Sequence, residues 1–74
     1  MISFFKMQAT GNDFIIINTI EEKFIYNYWD VSKFLCNRKF GVGADGVIFL
    51  ENGKNSKFRM RIFNQDGSEA RNVW

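Results

Sequence analysis

The residues of this chain that could do chemistry are few. Asn12 stands in Ala9-Thr10-Gly11-Asn12-Asp13-Phe14, and Asn64 opens Asn64-Gln65-Asp66-Gly67-Ser68. Each amide offers both a donor and an acceptor, although asparagine beside glycine is also an ordinary turn former. Asp13, Asp45 and Asp66 could suggest a metal site or a carboxylate pair. Each sits beside a glycine or asparagine, however, and local Asx-type turn bonding is the favoured account. Histidine is absent and Cys36 is the only cysteine. That excludes a histidine-based triad, a Cys–His pair, a Cys-x-x-Cys redox site and an ordinary zinc site within these residues. Cys36 reads as a small packing residue on a helix rather than a nucleophile.

Two further stretches resemble ligand-binding patterns and are weighed against them. Gly41-Val42-Gly43-Ala44-Asp45-Gly46 is glycine-rich but lacks a following Lys-Ser/Thr and leads into a strand, so nucleotide binding is not its reading. Lys54, Lys57, Arg59 and Arg61 make a basic hairpin, which reads as a solvated strand face because no aromatic ladder interleaves the charges. Ser68 is a good helix N-cap after the Asp66-Gly67 turn, and a helix starting there would offer free N–H groups to an anion.

Seventy-four residues make one small domain at most, and at this size only about 60% of the unfolded surface is buried. Aromatic content of 18%, with nine phenylalanines, demands more burial than so short a chain easily provides. Ten basic and eight acidic residues leave a net charge of +2, too balanced to point to nucleic acid or a membrane surface. The longest apolar run, Phe14 to Ile17, is far short of the ~20 residues of a membrane span. The N-terminus carries no targeting pattern, so a cytoplasmic protein is expected.

These elements must position the candidate residues. Residues 2–8 read as a strand with Ile2 and Phe4 on one face and Phe5 and Met7 on the other. A polar Gly11-Asn12-Asp13 tip turns it into a second strand, Phe14 to Asn18, expected to be covered on both faces. Phe24 to Trp29 is aromatic and has no clear periodicity. A short helix is expected from an Asp30 N-cap to Gly41, with Val31, Phe34, Leu35 and Arg38 on one face. Val47 to Leu50 is a strand, Glu51 to Ser56 a hairpin loop with Asn52-Gly53 its strongest turn signal, and Lys57 to Phe63 an alternating strand with Phe58, Met60 and Ile62 facing one way. The fold class is α+β: a mostly antiparallel β-sheet half-barrel, one short flanking helix, and an apolar face awaiting another helix.

Three segments, Lys6 to Phe14, Arg38 to Gly46 and Arg61 to Ala70, in this order and at these separations closely resemble the N-terminal part of diaminopimelate epimerase. The resemblance runs over residues 4–70. It implies a cofactor-independent isomerase (no pyridoxal phosphate) that interconverts LL- and meso-diaminopimelate in lysine and peptidoglycan biosynthesis. It implies that Asn12 and Asn64 are substrate-binding amides, suited to an ammonium and a carboxylate. Some members carry glutamine at the place of Gly46, a contact this chain lacks. The family's chemistry removes the α-proton with one cysteine and returns it on the opposite face from a second. Residues 1–74 would then be an incomplete N-terminal domain of a two-domain epimerase with its central helix missing.

The first family cysteine follows the Asn-x-Asp-Gly-Ser-Glu-Ala motif in Glu-Met-Cys-Gly-Asn. Counted from Ala70 it falls at position 73, where this chain has Val73, followed by Trp74 instead of glycine. GAA-ATG-TGT-GGT-AAT with one A inserted in front reads AGA-AAT-GTG-TGG-TAA, which is Arg-Asn-Val-Trp-stop. A single-nucleotide insertion after the Ala70 codon is therefore expected, and with it a chain without catalytic cysteines and without epimerase activity. Other readings are a proline-racemase or phenazine-biosynthesis-type isomerase, a β-rich RNA-binding module, or an inert remnant that self-associates through its uncovered apolar face.

Overall fold

The computed structural model describes residues 3–20, 24–53 and 58–70. Five elements follow in order: β1 (Phe5–Ala9), β2 (Asn12–Asn18), α1 (Tyr28–Cys36), β3 (Gly46–Glu51) and β4 (Arg59–Asn64). The strands make one open sheet in chain order, β1-β2-β3-β4. The β1–β2 and β3–β4 pairs are antiparallel, while β2 and β3 run parallel with Phe14 level with Gly46. A parallel pair cannot be joined by a tight turn; the chain crosses back through α1, which lands on one face of the sheet. The α+β class with one flanking helix is as the sequence predicts.

Alternation along the strands sorts the side chains into two unlike faces. Ile15, Ile17, Val47, Phe49 and Phe63 point under α1 and form the core with Val31, Leu35, Cys36 and Ala44. The opposite face carries Phe5, Met7, Phe14, Ile16, Ile48, Leu50, Met60 and Ile62, brought side by side by the strand registers. No element among the described residues covers it, and Phe5 stays 58% exposed. The expectation that β2 is covered on both faces therefore fails on this side: Phe14 and Ile16 are only half-buried.

Several boundaries differ from the sequence reading for local reasons. The first hairpin turns at Thr10-Gly11, with φ of 51° and 82°, and Ala9 pairs with Asn12. Two left-handed residues give the turn whose twist matches a two-residue hairpin, so Asn12 and Asp13 belong to β2 and not to the tip. The helix begins earlier than Asp30, because the Asn27 side chain accepts from the Asp30 N–H and caps Tyr28–Cys36. It ends at Cys36 rather than Gly41, capped by Asn37. Its buried face is Val31, Ser32, Leu35 and Cys36; Phe34 is 61% exposed. Small Ser32 and Cys36 let the helix lie close to the sheet, whereas Phe34 falls on the flank.

At the far end, Glu51 pairs with Arg59, so β3 runs one residue into the segment read as the hairpin loop. Residues 54–57, with Lys54 and Lys57 of the basic hairpin, lie outside the described residues, as do Ile2 of the first strand and Val73 and Trp74. Phe58 precedes β4 and is exposed. Phe63 is the buried residue of β4 and shares its face with Arg61. Among the described residues no helix is long and apolar enough to cross a membrane.

Thr10 is a β-branched residue held in the left-handed region, where asparagine and glycine are at less cost. Thr10→Asn should raise stability by about 1 kcal/mol, seen as a higher urea midpoint with unchanged slope. A lower midpoint would show that the Thr10 side chain makes up for its backbone.

Candidate functional site

The two asparagines meet at one end of the sheet. β2 and β3 start at that end and β4 finishes there, so Asn12, Gly46 and Asn64 close three neighbouring strands. Asn64 is paired directly with Gly46, and Gly46 lies level with Phe14, two residues along from Asn12. All three positions share the parity of Phe14, Ile48 and Ile62, which places them at the end of the open apolar face. Two strand spacings separate β2 from β4, about 10 Å. Both asparagines are exposed, and the Asn12 amide has no partner among the described residues.

Gly46 lies between them, and its neighbours close over it. A Cβ there would lie 2.9 Å from the Phe63 carbonyl oxygen and 3.2 Å from Cε1 of Phe14. A side chain at this position would have to displace the Phe14 ring or the β4 backbone.

Asn64 is shaped by the turn that follows it. The Ser68 carbonyl accepts from the Asn64 N–H at 2.7 Å, and the Gly67 N–H donates to the Asn64 carbonyl at 3.0 Å. The Asn64 Nδ2 donates to Ser68 Oγ at 3.1 Å. Asp66 accepts from both the Ser68 N–H and its hydroxyl, at 2.9 and 2.6 Å, which is the Asx-type bonding expected of it. These bonds hold the Asp66 carboxyl below its ordinary range. Beyond the turn the chain runs back along β4: Glu69 bridges Phe63, and the Ala70 N–H donates to the Ile62 carbonyl. Ser68, which as a helix N-cap would have offered free N–H groups to an anion, is spent on this turn.

Trp29 supports this turn from α1, a contact that sequence reasoning missed. Gly67 has φ of 94°, and a Cβ on it would fall 2.0 Å from Trp29 Cδ1 and 2.8 Å from Lys33 Cγ. The indole edge lies against bare backbone. Only the Asp66-Gly67 dipeptide hinted at a position that tolerates no side chain.

Asp13 and Asp45 depart from the Asx-turn reading. The Asp13 N–H donates to Asp45 Oδ2 at 3.0 Å and the Asp45 N–H donates to the Asp13 carbonyl at 2.9 Å. Arg38 reaches both carboxylates, at 3.3 and 3.2 Å, and Lys6 lies 3.2 Å from Asp13. The Arg38 and Lys6 charges pull the Asp13 carboxyl down to about 2 from 3.8. Its ion pairs are thus complete above the ordinary carboxylate range and fade only as pH falls toward 2. Among the described residues no group of three potential ligands could hold a metal ion.

The basic hairpin is also less solvated than expected. Arg61 makes a two-pronged pair with Glu69 at 2.9 and 2.8 Å and packs over the Tyr28 ring, 5.1 Å from its centroid. Cys36 is 2% exposed, and burial pushes its thiol up, in line with its reading as a packing residue.

The model of the family described as diaminopimelate epimerase matches residues 4–72. The chain belongs to the diaminopimelate epimerase family. Diaminopimelate epimerases of Carboxydothermus hydrogenoformans, Synechococcus sp. and Methanocella arvoryzae are 42%, 50% and 47% identical to it, each over 93% of this chain. The chain spans about a quarter of their length: 26%, 25% and 25%. Its fold is that of an N-terminal portion of the family's proteins, and the family is one of isomerases.

Gly67→Ala should destabilise the chain by about 1–2 kcal/mol from the left-handed backbone alone, and should also push the indole off the turn. A fall in the urea midpoint together with a shifted Trp29 fluorescence maximum, read in a Trp74→Phe background, is expected. An unchanged maximum would show that Trp29 does not rest on the turn.

Proposed function

We propose that this chain supplies substrate-recognition amides of a cofactor-independent diaminopimelate epimerase, with Asn12 and Asn64 as the binding residues. The observation that carries the reading is their convergence. Two residues 52 positions apart close β2 and β4 at one end of the sheet, on one face, with only Gly46 of β3 between them. An amide on either side can donate to a carboxylate and accept from an ammonium, the two groups an amino acid presents at one carbon. Family membership supports diaminopimelate as the amino acid, interconverted between LL- and meso-forms, in the cytoplasm and without pyridoxal phosphate.

Inversion at an α-carbon needs a base on one face and an acid on the other. Cys36 is the single thiol of these residues, lies in the core, and is kept protonated by burial. Position 73, where the family places its first cysteine, is Val73. The 74-residue polypeptide by itself is therefore inactive: it holds the binding amides but not the proton-transfer pair. Residues 1–74 act as an incomplete N-terminal domain of a two-domain epimerase, whose open apolar face is covered in the whole enzyme and drives self-association when bare. Nucleic acid is not a partner, a reading supported by the pairing of Arg59 and Arg61 with Glu51 and Glu69.

The test follows deuterium uptake at the α-carbon of diaminopimelate in heavy water. No uptake is expected with the 74-residue chain. Uptake is expected once residues 71–74 give way to Glu-Met-Cys-Gly and the remainder of a relative's sequence. In that extended protein Asn12→Ala or Asn64→Ala should lower kcat/KM by roughly 10- to 150-fold, the range for a hydrogen bond to a charged group. Uptake by the short chain, or indifference of the extended protein to both asparagines, would overturn the reading.

A further inference from the structure

The amides are exposed, yet their separation is not left to free loops. Asn12 is followed by Asp13, and Asp45 precedes Gly46, the partner of Asn64. Asp13 and Asp45 are joined by two reciprocal hydrogen bonds, one from backbone to carboxylate and one from backbone to backbone, at 3.0 and 2.9 Å. The path from one amide to the other thus runs Asn12–Asp13, across to Asp45–Gly46, and across again to Asn64. The first crossing is made by the two short hydrogen bonds, and the second is the register pairing of Gly46 with Asn64 in the β3–β4 ladder.

Arg38 closes this bracket from outside. It lies two residues beyond α1 and bridges Asp13 Oδ1 and Asp45 Oδ1 at 3.3 and 3.2 Å. Residues around it are tied to the helix, since the Val42 and Gly43 N–H groups donate to the Leu35 carbonyl and the Ala44 N–H to the Cys36 carbonyl. The cluster sits on the helix side of the sheet, and the pleat carries its constraint through the backbone to Asn12 on the other side.

We propose that Asp45, Asp13 and Arg38 are positioning residues that fix the spacing of Asn12 and Asn64; the functional sense of this rests on the assignment of those amides to substrate. Asp45 is the principal member, because its carboxylate accepts the Asp13 N–H and also anchors Arg38. Arg38 is 57% exposed, so its pairs are screened and add less.

The experiment is amide hydrogen exchange and backbone relaxation by nuclear magnetic resonance on the 74-residue chain. The Val47 and Phe49 amides serve as the internal standard of global opening. Asp45→Ala should speed exchange at Asp13 by about 10-fold or more and lower the order parameter of Asn12, with less than about twofold change at the standard amides. Asp45→Asn keeps an oxygen acceptor and should restore Asp13 protection to within about threefold, and Arg38→Gln should cost about threefold. Equal acceleration at Asp13, Val47 and Phe49 in Asp45→Ala would reduce the bracket to general stability. No acceleration at Asp13 would remove it. Diaminopimelate is then titrated into the unaltered chain while the Asn12 and Asn64 side-chain amide signals are followed. Intact bracket effects with motionless amide signals would count against the substrate assignment alone and leave the bracket standing.

Discussion

Tyr28 stacked on Phe49 is the contact that the rest of the structure depends on. The rings lie 3.8 Å apart and 6° from parallel, which joins the first turn of α1 to the third strand. Phe63 meets both rings edge-on, and Phe24 packs against Phe49 at 5.7 Å. Aromatic pairs contribute about 0.5–1.5 kcal/mol beyond their buried area, a large share where total stability is a few kcal/mol. The polar rim follows from the same ring. The Tyr28 hydroxyl donates to Glu51 at 2.6 Å, and Arg61 lies over the ring while it grips Glu69. Helix, sheet and the chain after β4 are thereby held by one aromatic cluster with a charged edge.

The pleat separates the supporting contacts from the exposed amides. On the helix side lie the core and the ion cluster of Lys6, Asp13, Arg38 and Asp45. On the other side, at the same strand ends, lie Asn12, Gly46 and Asn64. Neighbouring residues of one strand serve opposite faces, so Asn12 stays exposed while Asp13 is anchored behind it. Such an arrangement orders an exposed side chain without burying it, which a loop can rarely do.

Much of this was legible in the residues, and the failures have physical reasons. Four strands and one helix are written in the apolar alternation and in the asparagine, aspartate and glycine breakers. The helix face was misread because hydrophobicity favours Phe34, whereas close packing on a sheet favours the small Ser32 and Cys36. Asn27 and Asp30 are both sound N-caps, and only the aromatic demand of Phe49 for Tyr28 selects the earlier one. Asn12 and Asn64 came from the family resemblance. The Asp13–Asp45 contact spans 32 positions, and nothing local distinguishes a carboxylate that meets a distant arginine from one that closes its own turn. Trp29 against Gly67 is equally long-range.

Electrostatics complete the division of labour. A general acid or base works best with a pKa near the operating pH. In this chain the displaced groups move the other way. Arg38 and Lys6 drive Asp13 down to about 2, Arg61 lowers Glu69 and Ser68 lowers Asp66, while burial raises the Cys36 thiol and the Tyr28 hydroxyl. Each of these groups keeps one charge state across the neutral range. Near Asn12 and Asn64, Asp13 and Asp66 thus hold a fixed charge. Acid–base chemistry calls for groups poised near neutrality, and the displaced groups of this chain are tuned away from it.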